Sequence, residues 1–209
     1  MTEKEYEKSI SDLFEKWIKE QKAEPSYDNT DVDISSFTFD GAISPEDYFS
    51  SKERILFISK ESNLGQGKKF QNEFWLKNVY EKKAKYNETQ FSKRLSMAAN
   101  AIYNKDFMNP NKSHNILKFV AFMNLNKRGG HSRCNSETLE KYVSTYKKQI
   151  IKEIEILNPT VIVCAGRWLK SYLKELDEKY KIIEIYHPSY YIKSDMEHLK
   201  KLEEELKNN

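Results

Sequence analysis

A short apolar run that ends abruptly in polar residues restricts the fold of this chain more than any other feature. Residues 55–58 read Ile-Leu-Phe-Ile, and they are followed by SKESNLGQG at 59–67. A run this short, without polar positions for a solvent-facing side, is typical of a strand buried on both faces in a parallel sheet. Helices must then cover both faces of that sheet.

Three further apolar runs follow, and helical patterns separate them. The runs span 117–125, 160–165 and 181–186, and the helical segments span 3–21, 69–83, 89–103, 137–157, 167–176 and 194–207. This alternation predicts an α/β fold, a three-layer α/β/α sandwich around a central, mostly parallel four-stranded sheet. We expect residues 1–43, a helix and a long loop, to pack on a main domain formed by residues 44–209.

Composition excludes several classes of protein. With 13% aromatic and 38% hydrophobic residues, the 209-residue chain is globular rather than disordered, and its formal charge of +3 alone does not indicate a nucleic-acid partner. The two cysteines, Cys134 and Cys164, are too few for a disulfide framework or an iron–sulfur cluster. No membrane span, signal peptide, zinc spacing or nucleotide-binding loop is recognisable, so we expect a cytoplasmic protein without a cofactor or metal.

Polar side chains lie at the ends of three of the four predicted strands: Glu61, Asn124 and His187. Right-handed crossovers bring such strand ends to one edge of the sheet. There, Asn124 could read the edge of a nucleobase, His187 could donate to a leaving group, and Glu61 could position water or stabilise positive charge on a sugar. Each residue also has a structural explanation: a helix cap or solvent-facing acid, a turn former, and a rigid turn before Pro188.

The order of these residues resembles the uracil-DNA glycosylase superfamily. The first motif of that family corresponds to SKESN at 59–63, and Asn124 precedes LNK at 125–127. The strand VIVCAG at 161–166 and HPS at 187–189 match two further family landmarks in order. The resemblance covers roughly residues 50–195 and implies a uracil-DNA glycosylase-like fold. Lys60, Ser62 and Asn63 depart from the family pattern, so the resemblance implies a substrate base that is either uracil or another damaged or modified base.

By this resemblance, the chain would be a metal-free DNA glycosylase that flips a base into a pocket. Glu61 and His187 would be the catalytic residues. The substrate-binding residues would be Asn124, Asn63, Ser62, Ser189 and one aromatic side chain, Phe74 or alternatively Phe70. Both phenylalanines fit equally well as core residues of a helix.

Nucleic-acid contacts are predicted at a basic loop, at a helix start and at one aromatic residue. Residues 127–133, Lys-Arg-Gly-Gly-His-Ser-Arg, form a basic loop in which Lys127 and Arg128 could grip phosphates, although an ordinary solvated loop fits as well. Gly166 and Arg167 at a helix start offer a second anion site, and Tyr190 could act as a stacking wedge.

The expected partner is DNA, either single-stranded or carrying a modified base, bound by a monomer that contacts no membrane. One alternative is a non-catalytic relative that binds a base, nucleotide or nucleic acid in the same pocket. Another is an interaction protein in which residues 3–21 dock a partner.

Overall fold

The computed structural model describes residues 1–23, 37–63, 74–82, 88–130 and 135–208. Within them, a mixed five-stranded sheet carries helices on both faces, with strand order β1-β3-β2-β4-β5. The strands are β1 (Gly41–Ala42), β2 (Ile55–Asn63), β3 (Val120–Gly130), β4 (Val161–Ala165) and β5 (Lys181–Ile185). The helices are α1 (Glu3–Ala23), α2 (Pro45–Ser50), α3 (Trp75–Tyr80), α4 (Gln90–Asn104), α5 (Ser136–Thr145), α6 (Lys147–Leu157) and α7 (Asp195–Asn208), with 3-10 helices at His114–Phe119 and Lys170–Leu176.

The four predicted parallel strands are present. The predicted number of strands is wrong, because β1 adds a fifth, antiparallel strand. Gly41 pairs with Phe122 and Ala42 with Ala121 on the edge of β3. Two residues are too few for a period-two pattern, so sequence reasoning missed this strand. Gly41 has φ +133° and a Cβ there would collide with the hydroxyl of Tyr6, which accepts a hydrogen bond from the Ala42 N–H at 2.8 Å. A glycine is therefore required where α1 meets the sheet edge.

Strands β2 and β3 extend well beyond their apolar runs. They pair in parallel from Ile55↔Val120 through Ser59↔Asn124 to Glu61↔Asn126, and the register shifts between Glu61 and Asn63. β4 and β5 stop earlier, at Ala165 and Ile185. The polar ends of β2 and β3 consequently project past the carboxyl ends of their neighbours, and residues 127–130 belong to a strand rather than to the predicted loop.

The side chains of β2 and β3 alternate between two buried layers. Leu56 and Ile58 share a core with α1, α5 and α6, whereas Ile55 and Phe57 share a core with α4 and α7. This alternation follows from the two-residue period of a strand. Before the register shift after Glu61, a residue's position along β2 or its partner on β3 therefore decides which helical layer it faces.

One predicted helix is confirmed, and two others differ from their predictions. The predicted helix at 3–21 is confirmed as α1, which buries Phe14 and Trp17 against the sheet and α6. The predicted single helix at 137–157 is interrupted at Tyr146, whose buried ring lies 6.0 Å from that of Trp17, so it forms α5 and α6. The helix predicted at 167–176 is a turn followed by a 3-10 helix. Among the described residues, no helix has the length and apolar character needed to cross a bilayer.

Candidate active site

A cavity of about 380 Å³ lies beside the projecting ends of β2 and β3, on the α4 side of the sheet. Glu61, Asn124 and His187 all line it, although they are far apart in the sequence. The remaining lining residues are Ser59, Ser62, Trp75, Thr89, Phe91, Phe122 and Ser189. The volume falls in the range of ~300–1,000 Å³ that is usual for small-molecule sites.

Strand geometry explains why an acid and an amide share this cavity. Ser59 pairs with Asn124, and Glu61 pairs with Asn126 one step further along the same two strands. Ser59, Glu61 and Asn124 therefore point to the same face of the sheet. β4 pairs with β2 only as far as Ile58↔Cys164, so β4 does not continue beside Glu61 on the side opposite β3, and the half-buried carboxylate faces the cavity.

Asn124 is held by hydrogen bonds from its own backbone and side chain. Its N–H donates to Asp40 Oδ2 at 2.7 Å, and its Nδ2 lies 3.5 Å from the same oxygen and 3.4 Å from Ser62 Oγ. A carboxylate accepts only, so the amide nitrogen must face Asp40. Oδ1 is then the atom through which the 4% exposed Asn124 can accept a hydrogen bond from a ligand.

His187 is poised as a neutral hydrogen-bond donor. Its Nδ1 accepts the N–H of Ser189 at 3.2 Å, so the single proton of the neutral ring is on Nε2. Burial is the main cause that lowers the pKa of His187 to about 4, and the positive charge of Lys60 and the nearby His198 contribute to the same shift. At neutral pH the imidazole therefore carries no charge and can donate from Nε2.

Aromatic side chains that the sequence analysis did not select form the apolar wall of the cavity. The Phe91 ring lies 5.5 Å from that of His187, 5.9 Å from that of Trp75 and 6.0 Å from that of Phe122. Phe74 does not line the cavity, which corrects its predicted role, because it precedes α3 and packs on the core. Trp75 and Phe91 lie at apolar positions of two different helical patterns, 69–83 and 89–103, so nothing local separates them from core residues.

Arg94 on α4 fixes the backbone that follows His187. Its guanidinium donates to the carbonyl oxygens of Pro188 at 3.0 Å, Tyr190 at 2.8 Å and Lys193 at 2.8 Å, and to Asp195 at 2.9 Å. Arg94 is only 6% exposed. A cation inside the apolar face of residues 89–103 was the sequence signal for this role, and it was overlooked.

Lys127 and Arg128 were predicted to bind phosphates, and the structure corrects both assignments. Lys127 is fully buried, paired with Asp40 and at 2.9 Å with Glu153, and its Nζ lies 5.4 Å from the ring of Trp17. Burial raises the pKa of Glu153, while Lys127 opposes that shift. Because β3 continues through residue 127, Lys127 faces the same helical layer as Leu125.

Arg128 is 8% exposed, and one of its terminal nitrogens donates to the carbonyl oxygen of Gln21 at 3.0 Å. Its guanidinium also lies 5.8 Å from the ring centre of Tyr142. Arg128 thus joins the end of α1 to β3 and is not presented to a ligand. His131, Ser132, Arg133 and Phe70 lie outside the described residues, as does the side chain of Asn63.

The remaining predicted contacts flank the cavity. Ser62 and Ser189 line it, while Tyr190 is 37% exposed on the segment held by Arg94. Gly166 has φ +148° and begins a turn, not an α-helix, so the predicted anion site at a helix start is wrong for Gly166. Arg167 is exposed in the same turn. No group of three His, Cys, Asp or Glu side chains that could hold a metal occurs among the described residues.

Comparisons with known proteins add no family to this geometry. No protein-family model matches the sequence, and no curated protein is significantly similar to it.

Proposed function

We propose that this chain hydrolyses the N-glycosidic bond between a damaged or modified base, such as uracil, and the sugar of DNA. One observation carries the proposal: Glu61, Asn124 and His187 meet around a single aromatic-walled cavity. The motif resemblance assigns complementary tasks to the same three residues. Those tasks require the three side chains to share one cavity, as they do.

Base recognition would depend on Asn124 and the aromatic wall. Asn124 Oδ1 would accept from a ring N–H of the extruded base, while Phe91 and Trp75 would contact its faces. An amide oxygen favours bases whose pairing edge carries a ring N–H, as in uracil or hypoxanthine, over bases with a bare ring nitrogen there. Extrusion costs least for a mismatched or single-stranded base.

Bond cleavage would proceed by electrostatic stabilisation of separating charges. As the bond from C1′ to the base nitrogen breaks, its electron pair leaves with the base and the sugar becomes oxocarbenium-like. His187 Nε2–H would donate to the base oxygen on which negative charge develops, and Glu61 would stabilise the cation and orient water. That water adds to C1′ and releases its proton to the carboxylate. Loss of one such group typically costs ~10²–10³ in rate.

Release of base from single-stranded DNA containing uracil, hypoxanthine or xanthine tests the proposal. Alkali cleaves the abasic product, so strand scission reports base release. We expect Asn124→Ala and His187→Ala to lose most activity while remaining folded, and Asn115→Ala, an exposed asparagine on the neighbouring 3-10 helix, to retain it. Tight base binding without release would identify a non-catalytic binding protein instead. Near-normal release by both cavity variants would contradict the assigned roles.

A further inference from the structure

A second cavity, of about 180 Å³, adjoins the first across the carboxyl edge of the sheet. His187 lines both cavities. Other lining residues of the second cavity are Lys60, Gly166, Arg167, Trp168 and Tyr172. Lys60 and Glu61 are successive residues of β2, so their side chains face opposite layers, and the two cavities open on opposite sides of the sheet.

Trp168 presents an aromatic surface at this second cavity. It is 70% exposed and has φ +68°, a backbone conformation that is uncommon for a bulky residue. The carboxylate of Glu184 on β5 accepts hydrogen bonds from the backbone N–H groups of Lys170 and Trp168. These hydrogen bonds anchor the turn to the sheet and fix the backbone that carries the exposed indole of Trp168.

Two cations accompany this aromatic surface. Arg167 is exposed beside Trp168, and the half-buried Lys60 lines the second cavity. The positive charge of Lys60 reaches His187, where it contributes to the lowered pKa of the ring. An exposed indole flanked by cations matches what single-stranded nucleic acid requires: a stacking platform for bases and positive charge for phosphates.

We propose that the second cavity binds the base next to the one in the first cavity, within a single strand of nucleic acid. Trp168 stacks on this neighbouring base, and Lys60 and Arg167 contact the adjoining phosphates. The cavity is smaller than the ~300 Å³ at which drug-sized sites begin, so it takes one ring system and leaves the phosphates outside. This subsite depends on the proposed function for the identity of the first base, but its occupancy can be measured separately.

The strand would cross the carboxyl edge of the sheet above His187, with one base directed to each face. A base in a duplex is stacked on both sides and paired, so its faces are unavailable to Trp168. The subsite thus favours single-stranded over double-stranded substrate.

Fluorescence anisotropy of a labelled oligodeoxythymidylate of about eight nucleotides, within the ~4–16-nucleotide site sizes of single-strand binders, measures this subsite without any cleavage. We expect Trp168→Ala to weaken binding about tenfold or more and Trp168→Phe to weaken it less, because phenylalanine retains a smaller stacking face. Met108→Ala is the matched control, since Met108 is 74% exposed beyond the far end of α4. Lys60→Gln and Arg167→Gln should each reduce the slope of log K against log salt by the amount expected for the loss of about one phosphate contact.

Equal affinities of wild type, Trp168→Ala and Trp168→Phe for the single strand would overturn the proposal. Equally tight binding of a blunt duplex of the same length would also overturn it. If the wild type releases no base, but Trp168→Ala lowers the affinity for single-stranded DNA, the subsite is supported and only the glycosylase activity is refuted. Base release combined with Trp168-independent binding would refute the subsite and retain the glycosylase activity.

Discussion

The backbone N–H of Asn124 donates to Asp40 Oδ2 at 2.7 Å, which joins a residue of the cavity to a buried charge cluster. The other carboxylate oxygen of Asp40 pairs with Lys127, whose second partner is Glu153. Asp40 precedes β1, Lys127 lies on β3 and Glu153 on α6. One carboxylate therefore connects the cavity to both the sheet edge and the helical layer.

We predict that Asp40→Asn weakens base binding and lowers the free energy of unfolding by roughly 1.5–3 kcal/mol, the usual value of hydrogen bonds to a charged group. The amide introduced at position 40 can donate as well as accept, so it no longer fixes the orientation of the Asn124 amide. It also leaves Lys127 with a single carboxylate partner. Urea unfolding and equilibrium binding of a free base measure the two effects. Asp12→Asn, at an exposed position of α1, serves as the control. Unchanged base affinity would separate Asp40 from the orientation of Asn124.

Lys127→Met should lower the free energy of unfolding by about 3–5 kcal/mol, because it leaves two buried carboxylates without their cation. Its effect on the salt dependence of DNA binding should be nil, since a fully buried ammonium contacts no phosphate. Urea denaturation and binding titrations at several salt concentrations test both statements. Lys16→Met, at a 73% exposed side chain, provides a lysine control. A stable variant with a flattened salt slope would restore the phosphate-binding role.

The ring of His187 should titrate near pH 4 instead of near its ordinary value of 6.5. Because the folded pKa is the lower one, the unfolded chain binds more protons between these values. The contribution of this histidine to stability is thus fully present above pH 6.5 and is lost as the pH falls toward 4. His187→Gln keeps a donor but cannot titrate, so its stability should vary less with pH over that window. NMR titration of the ring gives the value directly, and a midpoint near 6.5 would show that the ring is solvated.

Arg94→Lys should reduce base release at least tenfold with a modest loss of stability, because a point charge cannot span three carbonyl oxygens and Asp195. The segment after His187 would then lose its anchor while the core stays packed. Single-turnover rates and urea unfolding separate these effects. Lys93→Met, on the same helix with a 42% exposed side chain, is the control. Wild-type rates in Arg94→Lys would mean that the anchor does not position His187.

Glu61→Gln should slow base release by ~10²–10³ and leave the affinity for free base nearly unchanged, because the proposed role of its charge is to stabilise the sugar cation. Comparison of release rates with base-binding constants makes the distinction. Equal losses in the release rate and in the affinity for free base would assign Glu61 to base recognition. Glu46→Gln, at an exposed position in the first turn of α2, controls for loss of one surface charge.

Local pattern was sufficient for the order of the four parallel strands and for three cavity residues. The apolar run at 55–58 needed two buried faces, and polar residues directly after such runs had to lie near the sheet edge. That reasoning identified Glu61, Asn124 and His187, which line one cavity. It did not find Trp75 or Phe91, because an aromatic residue on an amphipathic helix has the same spacing whether it faces core or cavity.

The sequence by itself determined the alternation of helices with parallel strands and the polar character of their ends, because both depend on periodicity over a few residues. Only the tertiary structure decided where β3 stops, and with it whether Lys127 is a phosphate ligand or a buried partner of Asp40 and Glu153. Strand length and pairing are set by neighbours more than 60 residues away along the chain, such as Ser59 and Asn124. One additional strand residue reverses the direction of a side chain, so long-range pairing, not local composition, fixed which polar groups face the cavity.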